Sequence, residues 1–417
     1  MSKSTVKIVT IWLLILCCLL GSSCGSLPIN EGSEDRTHTK EDTSSDDSET
    51  VDLTSNFTIE VDVSSIDYPT SVPVIYAEKL TWEFDELRSA FKIDAIKGLN
   101  ITDDCVREGA GDILRGDNGE YSLSLVNFLD GKYGDKNRNP TGYFGFCYSP
   151  LSGSDIIISY LLSYTSYEDT FANSQISPYS SENNLSELTY LETVEKFNGL
   201  FFDLGLEGED IPEVDISYFF SSADQIYFFE NGPEPYLPYI VDPQTGNREL
   251  PDEIRNGLSD AIVLGWRQNF FGVPVNSAAW GGRFSVGTLG YTAVELQRIS
   301  SYLMADGSYA LYANSLFIPV SYGEAKAVCS PQVPIDHLSS MLGFVLDEIE
   351  YYLVKVELTY AIFEDGEDYV LYPYWILFVE NKQEYSGEII RSASYANIYA
   401  YDGYTGEMVV SIDNPLK

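Results

Sequence analysis

The chain has 417 residues, 44% of them apolar and 14% aromatic, enough for two or three ordinary domains with filled cores, and this excludes a disordered chain. Against 64 Asp and Glu stand 24 Lys and Arg, a formal charge of −40, and so acidic a surface repels nucleic acid and anionic lipid faces. Solubility accounts for such a charge, and calcium or basic peptides stay compatible with it.

Lys3 and Lys7 precede a thirteen-residue apolar run, Ile8 to Leu20, and the small residues Gly21, Ser22 and Ser23 lead directly to Cys24. The run is too short to span a bilayer comfortably and reads as a secretory signal. It resembles the bacterial lipobox, although Leu20 stands four residues before the cysteine where that pattern has it three before. The expectation is a signal peptide over 1–23, a lipid on Cys24, and a folded body held on the extracytoplasmic face of the cell membrane. Of the remaining cysteines, Cys105, Cys147 and Cys329 are too few for a disulfide framework, which leaves either one Cys105–Cys147 bridge or buried free thiols. With His38 in the tether and His337 alone, no zinc ligand set is predicted, and no other metal or cofactor either. Residues 24–55 hold nine acids and two bases with almost nothing apolar, which predicts an extended acidic tether.

Folded structure is expected from residue 56. Phe57, Ile59, Val61 and Val63 alternate as in a half-buried strand, Val72–Tyr76 forms a second, and Thr81 caps a helix rich in early acids. Ile113–Arg115 and Tyr121–Phe128 flank a Gly-Asp-Asn-Gly turn and read as a hairpin, in which the Arg-Gly-Asp of 115–117 is turn chemistry, not an adhesion signal. Asp130–Asn139 lacks the pattern of a calcium loop and reads as surface loop. Strands over Gly142–Tyr148 and Ile156–Ser163 follow, then a helix from Ser186 to about Leu204 and an aromatic strand at Tyr218–Phe229. Two turns share one pattern, Asp242, Thr245, Gly246 and Asp402, Thr405, Gly406, which either coincide or mark two related modules. Ala261–Phe270 reads as a strand, Tyr291–Leu303 and Tyr309–Val320 as a long hairpin, and Tyr322–Phe344 as a helical stretch broken by Pro331 and Pro334. Three long aromatic strands close the chain between Ile349 and Ser411.

The run VKVELTYAIF, then LYPYWILFV, then YAYDGYTGEMV, behind a late helical segment and the earlier IVLGWRQNFFGVPV, resembles the C-terminal half of PepSY-type and YycI-type modules of extracytoplasmic Gram-positive proteins. With the signal and the opening VDVSS, the whole is similar to large clostridial-type surface lipoproteins. The resemblance implies a regulatory role, with a sensor kinase or a peptidase as the envelope partner, and carries no catalytic residue.

Nor do the residues supply one. His38 lies in the tether and His337 precedes helical apolar residues, so neither forms a plausible triad, and no phosphate-binding glycine pattern follows a strand. The rival reading is glycan capture or carboxylate-dependent glycan hydrolysis, with Trp266, Trp280 and Trp375 as sugar platforms if exposed and clustered; a solute-binding protein is the third. The expected architecture is α+β, predominantly antiparallel sheets with helices packed on one face, in two related lobes: an N-terminal domain over 56–250 and a C-terminal one over 251–417. The expected function is binding or regulation at the cell envelope.

Overall fold

Three long strands at the end of the chain recruit partners from its beginning, and this sets the whole arrangement. The computed structural model describes residues 56–107, 111–128, 143–150, 188–223 (with 185, 225 and 226, but not 224), 240–241, 248–249, 252–276, 297–343, 350–365, 368–385 and 388–409. In chain order, β1 (Phe57–Ile59), β2 (Ser71–Val72) and β3 (Ile75–Lys79) precede helix α1 (Phe84–Ala90). Strands β4 (Asn100–Arg107), β5 (Gly111–Asp117), β6 (Tyr121–Phe128) and β7 (Tyr143–Pro150) lead to α2 (Tyr190–Asp203) and β8 (Glu213–Phe220). Next come β9 (Ile240–Val241), β10 (Arg248–Glu249), α3 (Asp252–Gly257), β11 (Ala261–Arg267), β12 (Asn269–Phe270) and β13 (Val273–Pro274). The remainder is β14 (Arg298–Met304), β15 (Tyr309–Asn314), β16 (Phe317–Tyr322), β17 (Lys326–Ala327), α4 (Gln332–Leu342), β18 (Glu350–Asp365), β19 (Asp368–Tyr385) and β20 (Glu388–Asp402).

These strands make an eight-stranded sheet, ordered β4-β5-β6-β7-β15-β14-β11-β8, and a six-stranded one, ordered β1-β18-β19-β3-β16 with β20 also on β19. Pairing is antiparallel except that β1 runs parallel to β18. The class is α+β with antiparallel sheet predominant, as the alternation of apolar residues predicts. The expected boundary at 250/251 does not divide the sheets: β4 to β8 pair into the same sheet as β11, β14 and β15, while β1 and β3 join the closing strands. Residues 54–417 accordingly cluster as one unit.

Leu123, Leu125, Phe144, Phe146, Leu264 and Trp266, at period two along strands of the larger sheet, share one core with Leu87 of α1 and Phe197 and Phe201 of α2. Each such large side chain contributes about 1.5–3 kcal/mol by leaving water. Trp82 pins the end of α2, its Nε1 donating to the Leu204 carbonyl at 2.8 Å. In the smaller sheet Leu358, Tyr360, Trp375 and Leu377 pack with Ile335 and Leu338 of α4.

Several expectations shift by a few residues. α2 begins after Thr189, whose Oγ1 accepts from Glu192 N at 3.3 Å, and not at Ser186. The strand expected at Tyr218–Phe229 is β8, which starts at Glu213. Pro331 and Pro334 do not break α4, because they sit at its N-cap and in its first turn, where backbone N–H groups have no intrahelical acceptor. The run Tyr309–Val320 is shared between the sheets: Ser315, at φ 55°, turns the chain from β15 into β16. The Cys105–Cys147 bridge is not made, and the Cys147 thiol lies 3.3 Å from the Tyr302 hydroxyl. Cys105 lies on β4 and Cys147 on β7, three strand spacings apart, roughly 14 Å where a disulfide tolerates about 7 Å between Cα atoms. Ile156–Ser163 and Asp130–Asn139 lie outside the described residues.

Candidate functional site

A cleft of about 640 Å³ opens where α1 and α2 part over the eight-stranded sheet, a volume in the range of sites for small organic ligands. Tyr148 of β7 and Tyr309 of β15 lie in its floor, with Phe91 just past α1. The rings are held by neighbours: Phe91 stacks on Phe146 at 4.2 Å, Tyr121 stacks on Tyr148 at 4.9 Å, and Tyr309 tilts against Phe146 at 5.1 Å. Asn118, in the β5–β6 turn, accepts from Glu120 N and Tyr121 N through Oδ1 and so points its Nδ2 toward the Tyr148 hydroxyl, 3.4 Å away.

Three lysines line this cleft, Lys92, Lys97 and Lys196, with Glu195 and Asp203. Lys92, in a left-handed conformation after α1, is neutralised by Asp203 at 2.9 Å. Lys196 is different. It stands on α2 at the margin of the stripe that buries Phe197 and Phe201, half-buried itself, with Nζ 3.8 Å from the centre of the Tyr309 ring. It has no carboxylate partner among the described residues, and burial pushes its pKa below the ordinary lysine value. Burial pushes the Tyr309 phenol up to about 12, so at neutral pH that hydroxyl keeps its proton. One turn on, Gly199 forms part of the wall, and a Cβ placed there would meet nothing within 4 Å. A glycine inside a helix costs about 1 kcal/mol against alanine, and packing does not ask for it here.

A second concavity, about 330 Å³, lies between the loop 65–69 and β18. Beside it the buried Arg267 guanidinium joins the two sheets. Nη1 donates to Glu357 Oε1 at 2.8 Å and lies 3.5 Å from Asp215 Oδ1, while Nε donates to the Val275 carbonyl at 2.9 Å. Burial raises the Asp215 pKa, Arg267 lowers it, and Glu357 raises it again. Two carboxylates here share a cation that is almost wholly enclosed, which makes the cluster a joint between sheets.

Of the tryptophans singled out in the sequence, Trp266 and Trp375 do not form a groove. Trp266 and Trp375 are 1% and 0% exposed, on different sheets, and each has its indole N–H satisfied, by Ser301 Oγ at 2.8 Å and by the Cys329 carbonyl at 3.1 Å. Aromatic residues at strand period fill cores before they bind ligands. Trp280 and Cys24 lie outside the described residues, as do Asp242, Thr245 and Gly246, although β9 and β10 on either side of that turn pair antiparallel. The second turn is tightly made: Asp402 Oδ1 accepts from Tyr404 N and Thr405 N at 2.9 and 2.8 Å, and Gly406 takes φ 73°. His337 Nδ1 lies 3.2 Å from the Tyr401 hydroxyl, a packing contact. Among the described residues no three His, Cys, Asp or Glu are grouped to share a metal ion.

Sequence reasoning missed Tyr148, Lys196 and Tyr309. The available signal was a lysine beside the apolar stripe of α2, with a glycine three residues later.

No family model matches the chain, and no curated protein does. Among solved structures, an uncharacterised protein from Eubacterium rectale is similar over 82% of this chain and 86% of its own, at 14% identity and a TM-score of 0.49.

Proposed function

We propose that the protein is a lipoprotein anchored through Cys24 to the extracytoplasmic face of the cell membrane, with a non-catalytic binding role at the envelope. The observation that carries the binding role is the cleft over β7 and β15, where a half-buried lysine with no carboxylate partner among the described residues faces an open space beside two tyrosines. Groups arranged for stability are enclosed; these are not. The anchor rests on the N-terminal pattern of lysines, short apolar run, small residues and cysteine. In this reading the acidic stretch over 24–55 holds the folded body away from the membrane, where it can serve a sensor kinase or a peptidase as a ligand-reading subunit. The two sheets, with α2 packed on one and α4 on the other, are taken as two related lobes.

The test is metabolic labelling of the full chain with a fatty acid, combined with protease treatment of intact cells. Label on the wild type, none on Cys24→Ala, and cleavage of the body from outside are the expected results. An unlabelled wild-type chain protected from protease would refute the anchored reading.

The rival glycan reading draws support from the same cleft, because tyrosine faces suit sugar rings. It differs in needing a pair of carboxylates placed across a substrate, and the two nearest candidates, Glu195 and Asp203, share one helix face with Asp203 already held by Lys92.

A further inference from the structure

We infer that the cleft between α1 and α2 recognises an acidic sugar, a hydroxylated ring bearing a single carboxylate, whose charge is met by Lys196 and whose flat face lies on Tyr148. This deepens the binding role proposed above and rests on it.

The argument begins with charge. In a chain of net charge −40, three of the 24 basic side chains line one concavity. Lys92 is used by Asp203, but among the described residues Lys196 meets the Tyr309 ring and no carboxylate. A ring face offers a cation about 0.5–2 kcal/mol, far less than the hydration a buried ammonium gives up. The open side of the cleft is where a counter-charge can enter. A polyanion such as a nucleotide triphosphate would meet the repulsion of the whole acidic body, whereas one carboxylate can be balanced locally.

Shape narrows the class further. Tyr148, backed by the stacked Tyr121, offers one ring face suited to the apolar face of a sugar, while the Tyr309 ring stands at 53° to it, 6.3 Å away, and carries the Lys196 ammonium on its own face, so a sugar set on Tyr148 has the cation beside it. Polar groups stand at the edge of the Tyr148 face: Asn118 and the hydroxyl of Tyr148 can meet ring hydroxyls. Gly199 is the independent sign. Its missing side chain is required neither by backbone, since it is helical, nor by packing, since nothing lies within 4 Å of a Cβ there, and the residue lines the cleft.

Calorimetric titration of the full chain in detergent tests this with four probes: methyl glucuronide, methyl glucoside, benzoate and inorganic phosphate. The two sugars differ only in the carboxylate. The glucuronide is expected to bind at least ~10-fold more tightly than the glucoside and than either of the other anions. Lys196→Met keeps the aliphatic stem and should weaken the glucuronide by about 10-fold while leaving thermal unfolding nearly unchanged. Gly199→Leu, which has room to fold, should block the cleft and abolish glucuronide binding. Equal binding of glucoside and glucuronide, or undiminished glucuronide binding by folded Lys196→Met, overturns the inference. Benzoate or phosphate binding as well as the glucuronide overturns the sugar assignment. Each of these outcomes is separate from the fate of the anchored binding role, which falls on the labelling and protease experiment.

Discussion

Two cations of this protein sit against its larger sheet in opposite circumstances. Arg267 is enclosed, with a side chain 3% exposed, and the sheets converge on it: Glu357 and Thr359 from β18, Asp215 from β8, and the Val275 carbonyl from just past β13. Lys196 is half-buried over Tyr309, and no acid among the described residues pairs with it. The same acidic chain thus surrounds one charge with partners and leaves the other facing an opening. Burying a charge is unfavourable unless it is paired. Where the pairing is complete the cluster is explained by architecture, and where it is absent among the described residues the proposed binding role supplies the explanation.

The comparison breaks first at Glu357. Glu357→Gln leaves the guanidinium buried with its best acceptor weakened, and about 3 kcal/mol of stability should be lost, read as a lower urea midpoint. Replacing Arg267, Glu357 and Asp215 together by Met, Leu and Asn should recover most of that loss, because no buried charge is then left unpaired. At the open cleft the expected sign is opposite. Gly199→Ala should raise stability by about 1 kcal/mol, since it restricts the unfolded chain and meets no neighbour in the folded one. Urea unfolding of the two variants side by side measures whether one region is built for stability and the other at its expense.

Acid titration sharpens the enclosed half of the comparison. Asp215 has its pKa raised by burial, so the folded protein holds that proton more tightly than the unfolded chain. Its protonated form therefore contributes stability that is fully present below the unfolded value of 3.8 and is lost as pH rises through the raised folded value. Asp215→Asn removes this dependence. Relative to the wild type, the variant should gain as pH goes from 3 to 7, with a difference at neutral pH of under about 1 kcal/mol. Urea midpoints of both proteins at several pH values check the slope; a variant that loses ground as pH rises would show that Arg267 dominates Asp215.

How much of this was legible in the sequence follows from which signals are local. Alternation in Arg298–Met304 and Tyr309–Asn314 marks strands whatever lies across from them, and these were readable as a hairpin. The transfer of the chain between sheets at Ser315 was not, because a serine at φ 55° carries no signature of the kind that glycine does. Trp266 misled for a related reason: a large amphipathic ring suits a groove or a core equally, and only the fold brings Phe197, Phe201 and Ser301 around it. The cleft itself depends on α2 lying over β7 and β15, which no local pattern encodes. Lys196 and Gly199 were visible as oddities of one helix, but Tyr309 meets them only after the sheet has formed.

The smallest expected effect concerns the turn that delivers Val275 to Arg267. β12 and β13 are joined through Phe271 and Gly272, both at positive φ, 56° and 76°. Two successive positive φ angles are the geometry of a tight hairpin turn that favours Asn-Gly, and a residue with a bulky side chain there costs about 1–2 kcal/mol. Phe271 is 47% exposed and gains only an edge-to-face contact with Tyr322, ring centres 5.2 Å apart, worth about 0.5–1.5 kcal/mol. Strain and contact nearly cancel, so Phe271→Asn should raise stability by about 0.5 kcal/mol. Because the turn positions the carbonyl that accepts from Arg267 Nε, the gain should persist when Gly199 is altered and shrink when Arg267 is replaced. A double-mutant cycle by urea unfolding decides it: coupling of Phe271 to Arg267 with none to Gly199 places the strained turn in the service of the joint, whereas a destabilised Phe271→Asn would mean that the ring pair with Tyr322 outweighs the backbone.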